Sequence, residues 1–206
     1  MEKTELVDAL VELEWKAFGK VENLGGRANC QDNFNTFSVM RKSQYLAWPE
    51  HLLESFYADF VEANEKNWNL ITEKYGRMME STVPEEYEAI KSKFPEVSEK
   101  KRAIADQIVE IQVEWMEEFA KEYPCMASNA RSIRSATDTP YNTSYETYLR
   151  GELLTYSDRT LGLYGSWIVE LSKAGTNLAK EIMTNTALLY GYASLDAAEK
   201  ALARDM

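Results

Sequence analysis

Residues 61–73 read VEANEKNWNLITE, and residues 169–181 read VELSKAGTNLAKE, with Val61/Val169, Glu62/Glu170, Asn69/Asn177, Leu70/Leu178 and Glu73/Glu181 identical in place. The match extends without a gap over residues 35–90 and 143–198, adding Leu46/Leu154, Leu53/Leu161 and Ala89/Ala197. Upstream, LVDALVELE (residues 6–14) falls on IADQIVEIQ (residues 104–112). The punctuation corresponds too. Asn67 falls on Gly175, and both residue types tolerate the left-handed conformation that ends a helix. Pro49-Glu50 falls on Ser157-Asp158, two different ways to open a helix with an acid in its first turn. Aromatic positions pair as Phe37/Tyr145, Trp48/Tyr156 and Phe56/Tyr164. The reading is an internal duplication, with repeat 1 at about residues 1–94 and repeat 2 at about residues 95–206.

The composition points the same way. The chain has 206 residues and is rich in helix formers, with nine Gly and five Pro, and lacks alternating β-branched runs bounded by turns. We expect an all-α fold: a single compact helical domain of about eight to nine helices, two pseudo-symmetric repeats with a groove or pocket between them. A net charge of −11 argues against nucleic acid or an anionic membrane as partner. No apolar run approaches ~20 residues, and the start MEKTELVDAL lacks a signal-peptide core. Cys30 and Cys125 sit in matching loops and demand no disulfide framework, so a cytoplasmic location is expected.

Helices are expected at about 3–20, 34–47, 49–66, 68–81, 84–93, 98–122, 144–155, 157–173, 176–191 and 194–204. Thr82-Val83-Pro84-Glu85 has capping-box spacing, and Ser98 can cap the long helix. Tyr123–Asn142 reads as an irregular segment, and long irregular segments are often functional.

Polar residues on apolar rows mark the candidate site. In the first helix Val7, Val11, Glu14 and Phe18 make a row interrupted by Glu14, and Gln112 interrupts its counterpart. In the second helix of each repeat, Gln44 and Glu152 interrupt aromatic rows. Each repeat thus offers one inward carboxylate and one inward carboxamide, swapped between helices. Glu12 and Glu110, on polar rows, read as solvated. Converging Glu14, Gln44, Gln112 and Glu152 would form a polar pocket in which an apolar setting raises a carboxylate pKa toward acid–base work. Glu14 and Glu152 are the candidate catalytic pair. Arg41 and Arg150 stand near them, Tyr148 and Tyr156 could donate to developing charge, and Arg27, Arg131 and Arg134 in corresponding loops could hold an anion. Nucleophilic chemistry would need Cys30 with His51, the only histidine, and nothing fixes their geometry. No metal-ligand spacing and no phosphate-binding glycine loop is present, so neither metal nor cofactor is expected.

The strings LEWKAF, GGRANCQD, TEKYGRMMEST, DTPYNTSYETYLRGELLTYS and LLYGYASL resemble a bacterial family known only as a domain of unknown function, found mainly in anaerobic and gut bacteria. The resemblance spans nearly the whole chain and implies a bacterial, soluble, single-domain protein; it carries no catalytic residues across. Two functions fit. One is a pocket for an anionic small molecule, extending to a cofactor-independent lyase, hydrolase or isomerase that uses carboxylate acid–base chemistry. The other is a non-catalytic helical-repeat module presenting a groove to a protein partner or a second copy of the chain.

Overall fold

Apolar side chains recur at three- and four-residue spacing almost throughout, and helices result. The computed structural model describes residues 1–22 and 29–204, the side chains of residues 29 and 30 excepted. Among the described residues there are eleven α-helices and no strand. They are α1 (Lys3–Phe18), α2 (Phe34–Ala47), α3 (Glu50–Glu65), α4 (Leu70–Thr82), α5 (Pro84–Ile90) and α6 (Glu99–Glu122). The rest are α7 (Pro124–Ser128), α8 (Tyr145–Leu153), α9 (Asp158–Ala174), α10 (Leu178–Leu189) and α11 (Leu195–Leu202).

Local chemistry sets the helix ends. The Ser98 hydroxyl accepts the Lys101 amide at 3.1 Å and starts α6. Asn69 caps α4 by accepting from Ile71 and Thr72, and Asn177 caps α10 by accepting from Lys180. The turns before these caps need positive φ, met by Asn67 at 54° and Gly175 at 67°. The capping box expected at Thr82–Glu85 does not form. Thr82 remains in α4 and donates to Met78 O at 3.3 Å, while Pro84 opens α5 from the uncapped Val83. The segment expected to be irregular contains α7, because Pro124 is preset for a first turn and the Glu199 carboxylate accepts the amides of Cys125 (2.7 Å) and Met126 (2.8 Å).

The helices interlace around one core. Helix α2 packs on α10 and α4 packs on α8. Helix α1 touches α2, α3 and α4; α6 touches α8, α9 and α10; α3 crosses α9. The Trp48 ring sits at the centre, 5.2 Å from Tyr45, 5.6 Å from Phe56 and 5.2 Å from Tyr164. Leu10, Leu52, Leu53, Leu153 and Leu161 fill the space around these rings.

Candidate functional site

Where α1, α2, α4 and α8 meet, four charged side chains are buried together: Glu14 (1% exposed), Arg41 (6%), Lys74 (3%) and Glu152 (4%). The Arg41 fork is bidentate to Glu14, with Nε to Oε2 at 2.7 Å and Nη2 to Oε1 at 2.8 Å. Its Nη1 and Nη2 each reach Glu152 at 3.1 Å. Arg41 also donates to Gln44 Oε1 (2.9 Å) and to the Tyr45 hydroxyl (2.6 Å). Glu152 further accepts from Lys74 Nζ, from Gln44 Nε2 at 3.2 Å and from the Tyr156 hydroxyl at 3.1 Å. Two acids and two bases cancel, which is what makes their joint burial tolerable.

The electrostatics differ from a general acid–base pair. Burial by itself raises the Glu152 pKa, but Arg41 and Lys74 outweigh it and hold the carboxyl well below the usual carboxylate range. An anion this well satisfied is a poor proton acceptor near neutrality, which corrects the expectation of a raised pKa for this residue. Burial lowers the Lys74 pKa, with Glu152 opposing. Burial also pushes the Tyr45 phenol well up and the Tyr148 phenol up to about 12.

Glu14, Arg41, Gln44, Glu152 and Tyr156 therefore come together, but as a closed network and not as an open pocket. Gln112 lies apart. Its Oε1 accepts from the hydroxyls of Tyr145 (3.3 Å) and Tyr164 (3.2 Å), while its Nε2 has no hydrogen-bond partner among the described residues. Tyr148 is half-buried, its ring 3.5 Å from Lys74 Nζ and 4.9 Å from the Arg131 guanidinium. Arg131 is exposed and donates to Thr143 O. Arg134 is held by Glu117 and Glu110, so it is committed within the protein. Arg27 and the Cys30 side chain lie outside the described residues. Arg150 does not join the network: its Nε donates to Asp106 (2.8 Å) and its Nη2 to Glu146 (3.0 Å).

Arg150 instead lines an open cleft of about 250 Å³ between α4, α6 and α8, with Arg77, Arg102, Glu80, Ser81 and Thr147. Arg77 is fixed from behind by Glu73 (2.8 and 2.6 Å) and Pro95 O (2.8 Å), and Arg102 meets Glu80 at 3.3 Å. No described residue hydrogen-bonds to Nη1 of Arg77, Nη1 of Arg150, or Nε and Nη2 of Arg102. An adjoining cleft of about 390 Å³ shares Arg77 and Leu154 and adds Lys101, Glu73 and Trp68.

Lys74, Arg77 and Arg102 were not singled out by sequence reasoning. The signal for the first two was present: in Leu70, Ile71, Lys74, Arg77 and Met78, two cations stand on a buried helical row. Beside them Glu73 is buried against Arg77 and Trp68. Among the described residues no group of three or more His, Cys, Asp or Glu side chains could hold a metal ion, and no helix is long and apolar enough to cross a membrane.

The family described as "Protein of unknown function (DUF4125)" matches residues 4–200, and the chain belongs to it. No curated protein and no solved structure matches the chain.

Proposed function

We propose that this protein binds a small anionic molecule in the cleft between α4, α6 and α8, on a duplicated helical scaffold pinned by the buried Glu14–Arg41–Glu152–Lys74 network. The observation that carries the binding reading is the set of three guanidiniums lining one cleft, each with unbonded N–H groups. Carboxylates hold the Arg77 and Arg150 guanidiniums from the side, so their donors are oriented before a ligand arrives, and Arg102 meets Glu80 at the rim. In a chain with 34 acidic and 23 basic residues, such a grouping stands out.

Duplication is supported by residues that match in sequence and act alike. Asn69 and Asn177 each cap a helix and donate to a carbonyl of a packed helix at matching positions, Ala17 O of α1 at 2.9 Å and Trp115 O of α6 at 3.0 Å. The α2–α10 and α4–α8 packings exchange with each other under the sequence match. The cleft is what the two halves do not share. Extending the match, Arg77, Arg102 and Arg150 fall on Asn185, Thr4 and Lys42, while Glu80 and Ser81 fall on Leu188 and Leu189. A scaffold duty would be met by either version, whereas concentrating guanidiniums on one side serves recognition.

A second reading attaches to the counterpart helices α2 and α10. Leu46 (38% exposed), Leu188 (51%) and Leu189 (40%) are exposed there, which favours protein association over small-molecule binding. Calorimetry at constant ionic strength separates the two. The anion reading expects inorganic phosphate to bind, and Arg102→Ala to weaken it at least about fivefold without changing the fold. Heat no different from that of a chloride control, in wild type and variant alike, would defeat it.

A further inference from the structure

We infer that the ligand of the α4–α6–α8 cleft is a small hydroxylated phosphate ester, its phosphate on the three arginines and its hydroxyl groups on Ser81, Thr147 and Glu80. This rests on the anion-binding reading and names the ligand class for the same cleft.

The inference follows from where two protons go. The Ser81 hydroxyl donates to Asp138 Oδ2 at 2.6 Å, and the Thr147 hydroxyl donates to the same oxygen. The other Asp138 oxygen accepts the Ser144 amide at 2.6 Å. An ionised carboxylate only accepts, so each hydroxyl has spent its single proton and keeps only lone pairs for the cleft. Asp138 stays ionised: burial raises its pKa, but the Ser81, Thr147 and Ser144 bonds bring it below the usual value. Glu80 is likewise an acceptor.

The cleft lining therefore carries both donors and acceptors: α4 contributes Arg77 with Glu80 and Ser81, α8 contributes Arg150 with Thr147, and α6 contributes Arg102. A plain inorganic anion satisfies the arginines and leaves the acceptors facing oxygen. A ligand with both an anionic group and hydroxyl donors satisfies both sets. Three guanidiniums in the lining favour phosphate, with three terminal oxygens, over carboxylate, which offers two. At about 250 Å³ the cleft falls below the usual span for drug-sized ligands, leaving room for a short carbon chain beyond the phosphate.

The test compares sn-glycerol 3-phosphate with propyl phosphate, which has the same carbon chain and charge but no hydroxyl groups. Both are titrated calorimetrically into the full chain at constant ionic strength. Glycerol phosphate should bind at least about tenfold more tightly, as expected for one or two added hydrogen bonds. Ser81→Ala, at an exposed position, should shrink that ratio at least threefold while leaving propyl phosphate unchanged, and Thr147→Val should act in the same direction. Equal affinities for the two esters in wild type, unmoved by either variant, would overturn the hydroxyl assignment and leave the anion reading standing. Binding of neither ester nor inorganic phosphate would overturn both.

Discussion

Gln44 Nε2 donates to Glu152 Oε1 at 3.2 Å, and these two residues, 108 apart in the chain, are the ones that the internal sequence match superposes. A residue that touches its own counterpart lies where the two halves meet most closely. On the duplicated reading, that point carries a carboxamide from one half and a carboxylate from the other. Two carboxylates there would repel; two carboxamides would leave Arg41 and Lys74 with only Glu14 to balance them.

The charge balance is testable by removing one member. Glu152→Gln should destabilise the protein by about 3–5 kcal/mol, since it leaves buried cations undercompensated. The double variant Glu152→Gln/Lys74→Gln should cost less than the sum of the two single changes. Urea unfolding followed by circular dichroism gives all three values, and strict additivity would show that the residues do not act as a unit.

Acid should remove the same contribution. The folded-state pKa of Glu152 lies below its unfolded value, so its stabilising effect is complete above the unfolded pKa of about 4.3 and fades as pH falls toward the folded value. The stability gap between wild type and Glu152→Gln should hold steady from pH 7 to about 5 and narrow below about pH 4. A gap unchanged down to pH 3 would contradict the assignment.

Alkali acts with the opposite sign. Burial raises the pKa values of Tyr45, Tyr156 and Tyr164, so the folded state keeps phenol protons that the unfolded state loses above about pH 10. Stability should therefore fall as pH rises beyond that value. The tyrosinate absorbance of these three buried rings should appear only as circular dichroism reports unfolding.

Helix α8 approaches α4 closely at Gly151, where an added Cβ would stand 2.8 Å from Met78 Cγ and 3.0 Å from Lys74 O. Gly151→Ala should cost about 1–3 kcal/mol, as overpacking does. Gly162 in α9 has open space around its Cα, and Gly162→Ala should stabilise by about 0.5–1 kcal/mol. Thermal melts of the two variants should shift in opposite directions.

Helices were legible because apolar spacing and cap residues are local properties: Ser98 and Ser157 both cap where their sequence context places them. The interrupted rows likewise marked Glu14, Gln44, Gln112 and Glu152 as inward-facing. What a row cannot show is the partner. Lys74 stands 78 residues from Glu152, and it joins Arg41 in holding that carboxyl below the usual carboxylate range, so a prospective proton acceptor stays an anion near neutrality. Arg150 was placed near Glu152 by its spacing on α8, yet it points across to α6 and into the cleft, because Asp106 waits there. Loop arginines were hardest to read, since Arg134 looks free until the glutamates of α6 are set beside it.

The exchange of helices also sets a timetable for synthesis. Helix α2 docks on α10, where Asn185 donates to Ser43 O across 142 residues of chain. When a ribosome has finished α2, the surface meant to cover it does not yet exist, and neither does α8 for α4. At about 5–20 residues per second, α2 waits roughly 7–28 seconds for the 142 residues that bring Asn185 to it. A protein wound this way is completed late and nearly all at once, so its vulnerable period in the cell falls during translation and not after it.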